Sequence, residues 1–101
     1  MIFLEEMIIN GSLFHKIRVD LPKTSLIIIT SSKGFVMCGA LNVDIYNSDK
    51  LKDRKVLCAS VLGVKTFDDL LKGKIHEVSD AFKELGAYKG MRVNDALYLL
   101  S

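Results

Sequence analysis

The strongest constraint in this chain is Asn10-Gly11, the dipeptide best suited to hold positive φ at both centres of a type I′ turn, with Ile8 and Ile9 before it and Leu13 after it. A two-residue loop leaves no freedom of register. With Asn10 and Gly11 at the tip, Ile8 faces Leu13, Glu6 faces His15, Leu4 faces Ile17 and Ile2 faces Val19 on one side of the ribbon. Met7 with Phe14, Glu5 with Lys16 and Phe3 with Arg18 take the other side. One face is thus apolar except for Glu6 and His15, and the other still carries Phe3, Met7 and Phe14. Monomers rarely expose apolar patches beyond a few hundred Å². The hairpin, residues 1–21, is therefore expected to pack against copies of itself through Ile2, Leu4, Glu6, Ile8, Leu13, His15, Ile17 and Val19. The alternative is that the chain's own later helices cover it, and little helix is available for that.

The 101 residues suit a single domain, 1–101, with half the residues apolar and no disordered tract. Fourteen basic residues against twelve acidic ones leave a net charge of +2 with no basic run, so nucleic acid has no special claim as a partner. Glu5 and Glu6 interrupt the apolar start before a signal-peptide core can form. The longest apolar stretches, 35–41 and 56–64, fall far short of the ~18 residues a membrane span needs. A cytoplasmic protein with no membrane partner is expected. Cys38 and Cys58 both lie in apolar, strand-like segments, where a reducing compartment favours two buried thiols over a disulfide.

Residues 13–21 alternate as a strand, which Pro22 ends because it has no N–H for a ladder. The unbroken run Leu26-Ile27-Ile28-Ile29 reads as a central strand buried on both faces, and Lys33-Gly34 turns the chain into Phe35-Val36-Met37-Cys38. Asn42 is a candidate cap for a helix over 43–54, with Val43, Tyr46 and Leu51 inward. Residues 56–64 are β-prone. Thr66-Phe67-Asp68-Asp69 has capping-box spacing for a short helix that Gly73 ends. Ile75, Val78, Phe82 and Leu85 form one helical stripe closed by Gly86, and a last helix spans 93–100. The order of elements argues for an α+β fold: one domain, a largely antiparallel β-sheet with an N-terminal hairpin, and three to four short helices.

Leu21-Pro22-Lys23-Thr24, Gly34-Phe35-Val36-Met37-Cys38-Gly39-Ala40-Leu41, Gly63-Val64-Lys65-Thr66 and Gly90-Met91 together resemble the YunC-like family, domain of unknown function 1805. The most specific piece is Met37-Cys38-Gly39-Ala40-Leu41. The resemblance implies a small bacterial or archaeal protein with a β-rich N-terminal tetramerisation region, and it brings no assigned activity. It also implies an aspartate where this chain has Asn42, so a role that needs that carboxylate is lost here.

Cys38-Gly39-Ala40 is a strand end turning through glycine, which aims backbone N–H groups at one spot and can ease ionisation of a thiol. Lys33, Cys38, Gly39 and Asn42 are the candidate ligand-binding residues, with Cys38 the candidate nucleophile. The bland alternative makes Cys38 a small hydrophobe filling a strand. Glu6 and His15 form the one acid–imidazole pair that the register supplies, suited to tuning a subunit contact with pH. Thr30-Ser31-Ser32-Lys33-Gly34 lacks P-loop spacing and reads as a turn. Gly86, Gly90 and Arg92 form an anion-holding loop only weakly and read first as a helix connector. The two His and two Cys never fall at metal-ligand spacing, so no metal and no cofactor are expected. Two functions remain. One is a non-catalytic homo-oligomeric module, a tetramer, that binds a small molecule or protein at subunit boundaries. The other is a small enzyme with Cys38 as nucleophile in an intersubunit pocket, which lacks an identifiable base.

Overall fold

The computed structural model describes residues 1–40 and 42–101; Leu41, the last residue of the Met37–Leu41 motif, lies outside the described residues. Six strands, β1 (Ile2–Ile9), β2 (Ser12–Leu21), β3 (Thr24–Thr30), β4 (Gly34–Cys38), β5 (Leu57–Val61) and β6 (Glu77–Val78), form one sheet in sequential order. All neighbours are antiparallel except β4 and β5. The helices are α1 (Asp44–Asn47), α2 (Phe67–Lys72), α3 (Asp80–Glu84) and α4 (Val93–Leu99).

The β1–β2 register is the one the turn dictates, with Ile2 opposite Val19, Leu4 opposite Ile17, Glu6 opposite His15 and Ile8 opposite Leu13. Asn10 and Gly11 adopt φ of 50° and 77°, as a tight primed turn requires. Pairing carries the same parity onward. Ile17 faces Ile28, which faces Met37, while Thr30 faces Phe35. Every residue on these four strands is thereby sorted to one of two sides.

One side is the core. Phe14, Ile27, Ile29, Val36 and Cys38 meet Leu70 of α2, Phe82 of α3 and Ala96 and Leu97 of α4 in a single buried cluster. α2 begins at the expected capping box, in which the Thr66 hydroxyl accepts from the Asp69 N–H at 3.1 Å while the Asp69 carboxylate accepts from the Thr66 N–H at 3.2 Å. The other side of β1–β4 is left open. Ile2, Leu4 and Ile8 are 75%, 64% and 66% exposed, so the chain's own helices do not cover this face of the hairpin. Ile27 and Ile29 are buried as expected, but Leu26 and Ile28 are only half-buried, because the central strand has helices on one side alone. At the β4 end, Tyr46 of α1 meets Phe35 edge-on, 6.2 Å between ring centroids.

Two helix expectations are corrected. Residues 43–54 do not make one helix: α1 stops at Asn47, a single 3-10 turn follows at Lys52–Arg54, and Lys55 is left-handed. The polar run Asn47-Ser48-Asp49 explains the break. The Ser48 hydroxyl bonds back to the Ile45 carbonyl at 2.6 Å, and the Asn47 side chain accepts from the distant Asp80 N–H at 2.7 Å. Val43, not Asn42, occupies the cap position, and no side chain caps it. The stripe Ile75–Val78–Phe82–Leu85 also fails as one helix. His76 N–H bonds to Ser60 O and Ser79 N–H to Cys58 O, so Glu77 and Val78 form the edge strand β6, and Ser79 then caps α3 by accepting from Phe82 N–H. The unpaired edge of β5 outweighed a helical stripe that a mid-pattern serine was already suited to interrupt.

At Gly34 the backbone of β4 passes hard against Leu57 of β5. A Cβ there would collide with the Leu57 carbonyl oxygen and lie 2.7 Å from the Leu57 Cβ and 2.9 Å from Leu100 Cδ2. The Gly34→Ala variant is expected to lose about 1–3 kcal/mol, outweighing the gain of about 0.4–1 kcal/mol from restricting the unfolded chain. A denaturant midpoint at or above wild type would contradict this reading of the approach.

Candidate functional site

β1 to β4 alternate in direction and β5 runs parallel to β4, so the residues named from sequence divide between two ends of the sheet. Asn10-Gly11 and Ser31–Lys33 share one end; Pro22-Lys23, Cys38-Gly39 and Gly63 share the other. Lys33 therefore lies about 16 Å along β4 from Cys38, too far to serve its thiol. Its ammonium instead donates to the Ser101 carbonyl at 2.7 Å. There it shares a hollow of about 380 Å³ with His15, Ser12 and Ser31. His15 Nε2 is 4.0 Å from Glu6 Oε1, the expected pair, with both side chains open to solvent on the uncovered face.

At the opposite end, Cys38 belongs to the core cluster, 5% exposed, and its sulfur reaches the Ser25 carbonyl at 3.9 Å. Parity explains this. β4 sends Val36 and Cys38 inward and Phe35 and Met37 to the open face. Gly39 and Asn42 are exposed, and Gly39 lets the chain pass Leu62, whose Cδ2 would lie 2.9 Å from an added Cβ. Beside Cys38, the turns 20–25 and 64–65 enclose an open hollow of about 650 Å³ that includes Asp20, Lys23, Ser25 and Lys65. Lys23 holds φ of +65°, a conformation uncommon for a side chain other than glycine, asparagine or aspartate. Three of the four motif segments quoted for the family resemblance thus meet around one corner. Lys23 and Lys65 stand in those segments, but sequence reasoning passed over them because nothing local ties one turn to the other.

The open face has its own hollow, of about 450 Å³, lined by Ile17, Ile28, Thr30, Phe35, Met37 and Tyr46. Its walls come from four elements. Among the described residues, no group of three or more His, Cys, Asp or Glu is placed to hold a metal ion, and no helix is long and apolar enough to cross a membrane.

A six-stranded α+β sheet with one helical face and one open apolar face defines the structural class. The family model described as "Domain of unknown function (DUF1805)" matches residues 37–100, and the chain belongs to that family. The chain is 37% identical over 97 residues to "Uncharacterized protein YunC" of Bacillus subtilis (strain 168), covering 96% of this chain and 95% of the relative. It is also similar to the crystal structure of a protein of unknown function, TA1206 from Thermoplasma acidophilum, with a TM-score of 0.89 and 30% identity over 100% of this chain and 94% of that one. The first three strands precede the segment that the family model matches, yet they fall within the whole-chain structural likeness.

Both cysteines are free and buried. Burial pushes the Cys58 thiol up to about 11, against a smaller lowering from its hydrogen bond with Ser79. A raised folded-state value means that the folded protein holds its proton where the unfolded chain has lost it. The contribution is full below the unfolded value near 9 and disappears as pH rises towards 11. Wild type is expected to lose about 2–3 kcal/mol more than Cys58→Ala between pH 8 and 11. Parallel pH–stability curves for the two proteins would refute this.

Proposed function

We propose that this protein is a non-catalytic homo-oligomeric module, a tetramer, that binds a small ligand or a protein at its subunit boundaries. The observation that carries the reading is the uncovered apolar face of β1–β4, on which Ile2, Leu4, Ile8 and Leu13 stand exposed and Ile17, Ile28, Phe35 and Met37 only partly shielded. Burying such side chains is worth about 1.5–3 kcal/mol each, so a second copy is the natural cover for a face that its own chain covers only at one edge, where Tyr46 of α1 meets Phe35. The surface is also self-matching in polarity, an apolar field broken by the acid–imidazole pair of Glu6 and His15, as a two-fold contact favours. The hollow of about 450 Å³ on this face falls in the range of small-molecule pockets and would lie at the subunit boundary, roofed by the neighbouring chain. Two free, buried thiols fit a reducing compartment, and we assign the protein to the cytoplasm, with neither nucleic acid nor membrane as partner.

Light scattering on the size-exclusion peak should give the mass of four chains for wild type. It should fall towards one chain for Leu4→Lys/Ile8→Lys, with the circular dichroism spectrum preserved. A wild-type protein that stays monomeric across micromolar concentrations would end this proposal.

The competing reading makes Cys38 a nucleophile in an intersubunit pocket. Burial of its sulfur in the core and the distance of Lys33 speak against it. Native Cys38 should react with a disulfide reagent at neutral pH at least a hundredfold more slowly than the unfolded chain. Fast, selective modification of Cys38 in the native protein would favour the enzyme instead.

A further inference from the structure

The helical side of the sheet carries a second feature, independent of the open face. Gly73 and Ile75 are bonded to Val93 and Met91, with Val93 N–H to Gly73 O at 3.1 Å and Ile75 N–H to Met91 O at 2.9 Å. These bonds flank Lys74 and Arg92 and make them a directly opposed, non-hydrogen-bonded pair. Such a pair brings Cβ atoms to about 4.5–5.5 Å, the closest approach antiparallel chains offer, and like charges placed there repel. Lys72, at the end of α2, joins them around one hollow of about 380 Å³ whose other walls are Leu71 and Asn94. Among the described residues no carboxylate lines this hollow. Among the described residues none of the three cations lies within 4.0 Å of an acidic oxygen, whereas Lys16, Arg18, Lys52 and Lys83 each have such a partner.

We propose that Lys72, Lys74 and Arg92 form a binding site for a phosphoryl group, either free phosphate or the phosphate of a small phosphorylated molecule. An uncompensated cluster of three positive charges in a concave site attracts a multiply charged anion, and the planar guanidinium of Arg92 can grip two phosphate oxygens at once. Asn94 adds a neutral donor for a third. A small ligand fits better than nucleic acid, because the cluster is one hollow in a chain of net charge +2 and not a stripe that could follow a phosphodiester backbone. The arrangement escaped sequence reasoning because Arg92 stood alone there; the pairing of two segments 18 residues apart supplies its neighbours.

The test is thermal unfolding and calorimetry of the full chain with sodium phosphate or glucose 6-phosphate, against sodium chloride at matched ionic strength. Phosphate should raise Tm saturably beyond chloride, and Lys74→Gln and Arg92→Gln should each weaken binding at least tenfold. In chloride alone both variants should keep or exceed the wild-type Tm, since each relieves the repulsion. Tighter binding of glucose 6-phosphate than of phosphate would mark an esterified ligand, and equal binding a free anion; either supports the site. The proposal is overturned if phosphate does no more than chloride, or if its effect survives both substitutions.

Discussion

The primed turn at Asn10-Gly11 is the constraint on which the rest of this structure depends. Two residues at positive φ lock the hairpin into one register, and because side chains alternate along a strand, that register fixes a side for every residue from Ile2 to Val19. The antiparallel pairing of β2 with β3 and β3 with β4 extends the sorting across the sheet. A slip of one residue would exchange the faces, sending Phe14 out and Ile17 into the helices. Both the core beneath α2 and α4 and the apolar field on the opposite side thus descend from one short loop.

The two faces are asymmetric for a simple reason of supply. Three helices of five to seven residues, α2, α3 and α4, roof one side of the six-stranded sheet and contribute Leu70, Phe82, Ala96 and Leu97 to the same cluster. Nothing comparable remains for the other side, where α1 reaches only as far as Phe35 through Tyr46. The same parity governs the cysteines. Cys38 points into the core, and Cys58 is buried across the sheet, where Ser79 bonds both to its backbone and to the Val56 carbonyl. Ser79 also caps α3, so one hydroxyl joins the β5 edge to the start of the next helix.

Membership of the family described as "Domain of unknown function (DUF1805)" agrees with the α+β architecture, and a structural likeness over the whole chain extends it to the N-terminal strands. The corner where residues 20–25, Cys38 and residues 64–65 meet explains why short, scattered motifs can belong together. They are neighbours only because β2, β4 and β5 end on the same side of the sheet. The cationic hollow of Lys72, Lys74 and Arg92 has the same origin, two backbone segments paired by hydrogen bonds that no local pattern announces.

Where a structural choice was local, the residues determined it unaided. Asn10-Gly11 set the hairpin register, Pro22 ended β2, Thr66 and Asp69 started α2 through their reciprocal bonds, and α4 followed its apolar spacing. Only the tertiary structure decided the competitions between local and distant partners. Residues 76–78 joined β5 instead of winding into a helix, Asn47 gave its side chain to Asp80, and Lys33 went to the end of the sheet away from Cys38. The physical reason is range. Turn geometry and capping act within about four residues and are readable from spacing, whereas an unpaired strand edge or a shared hollow gathers its members from segments that only folding brings together.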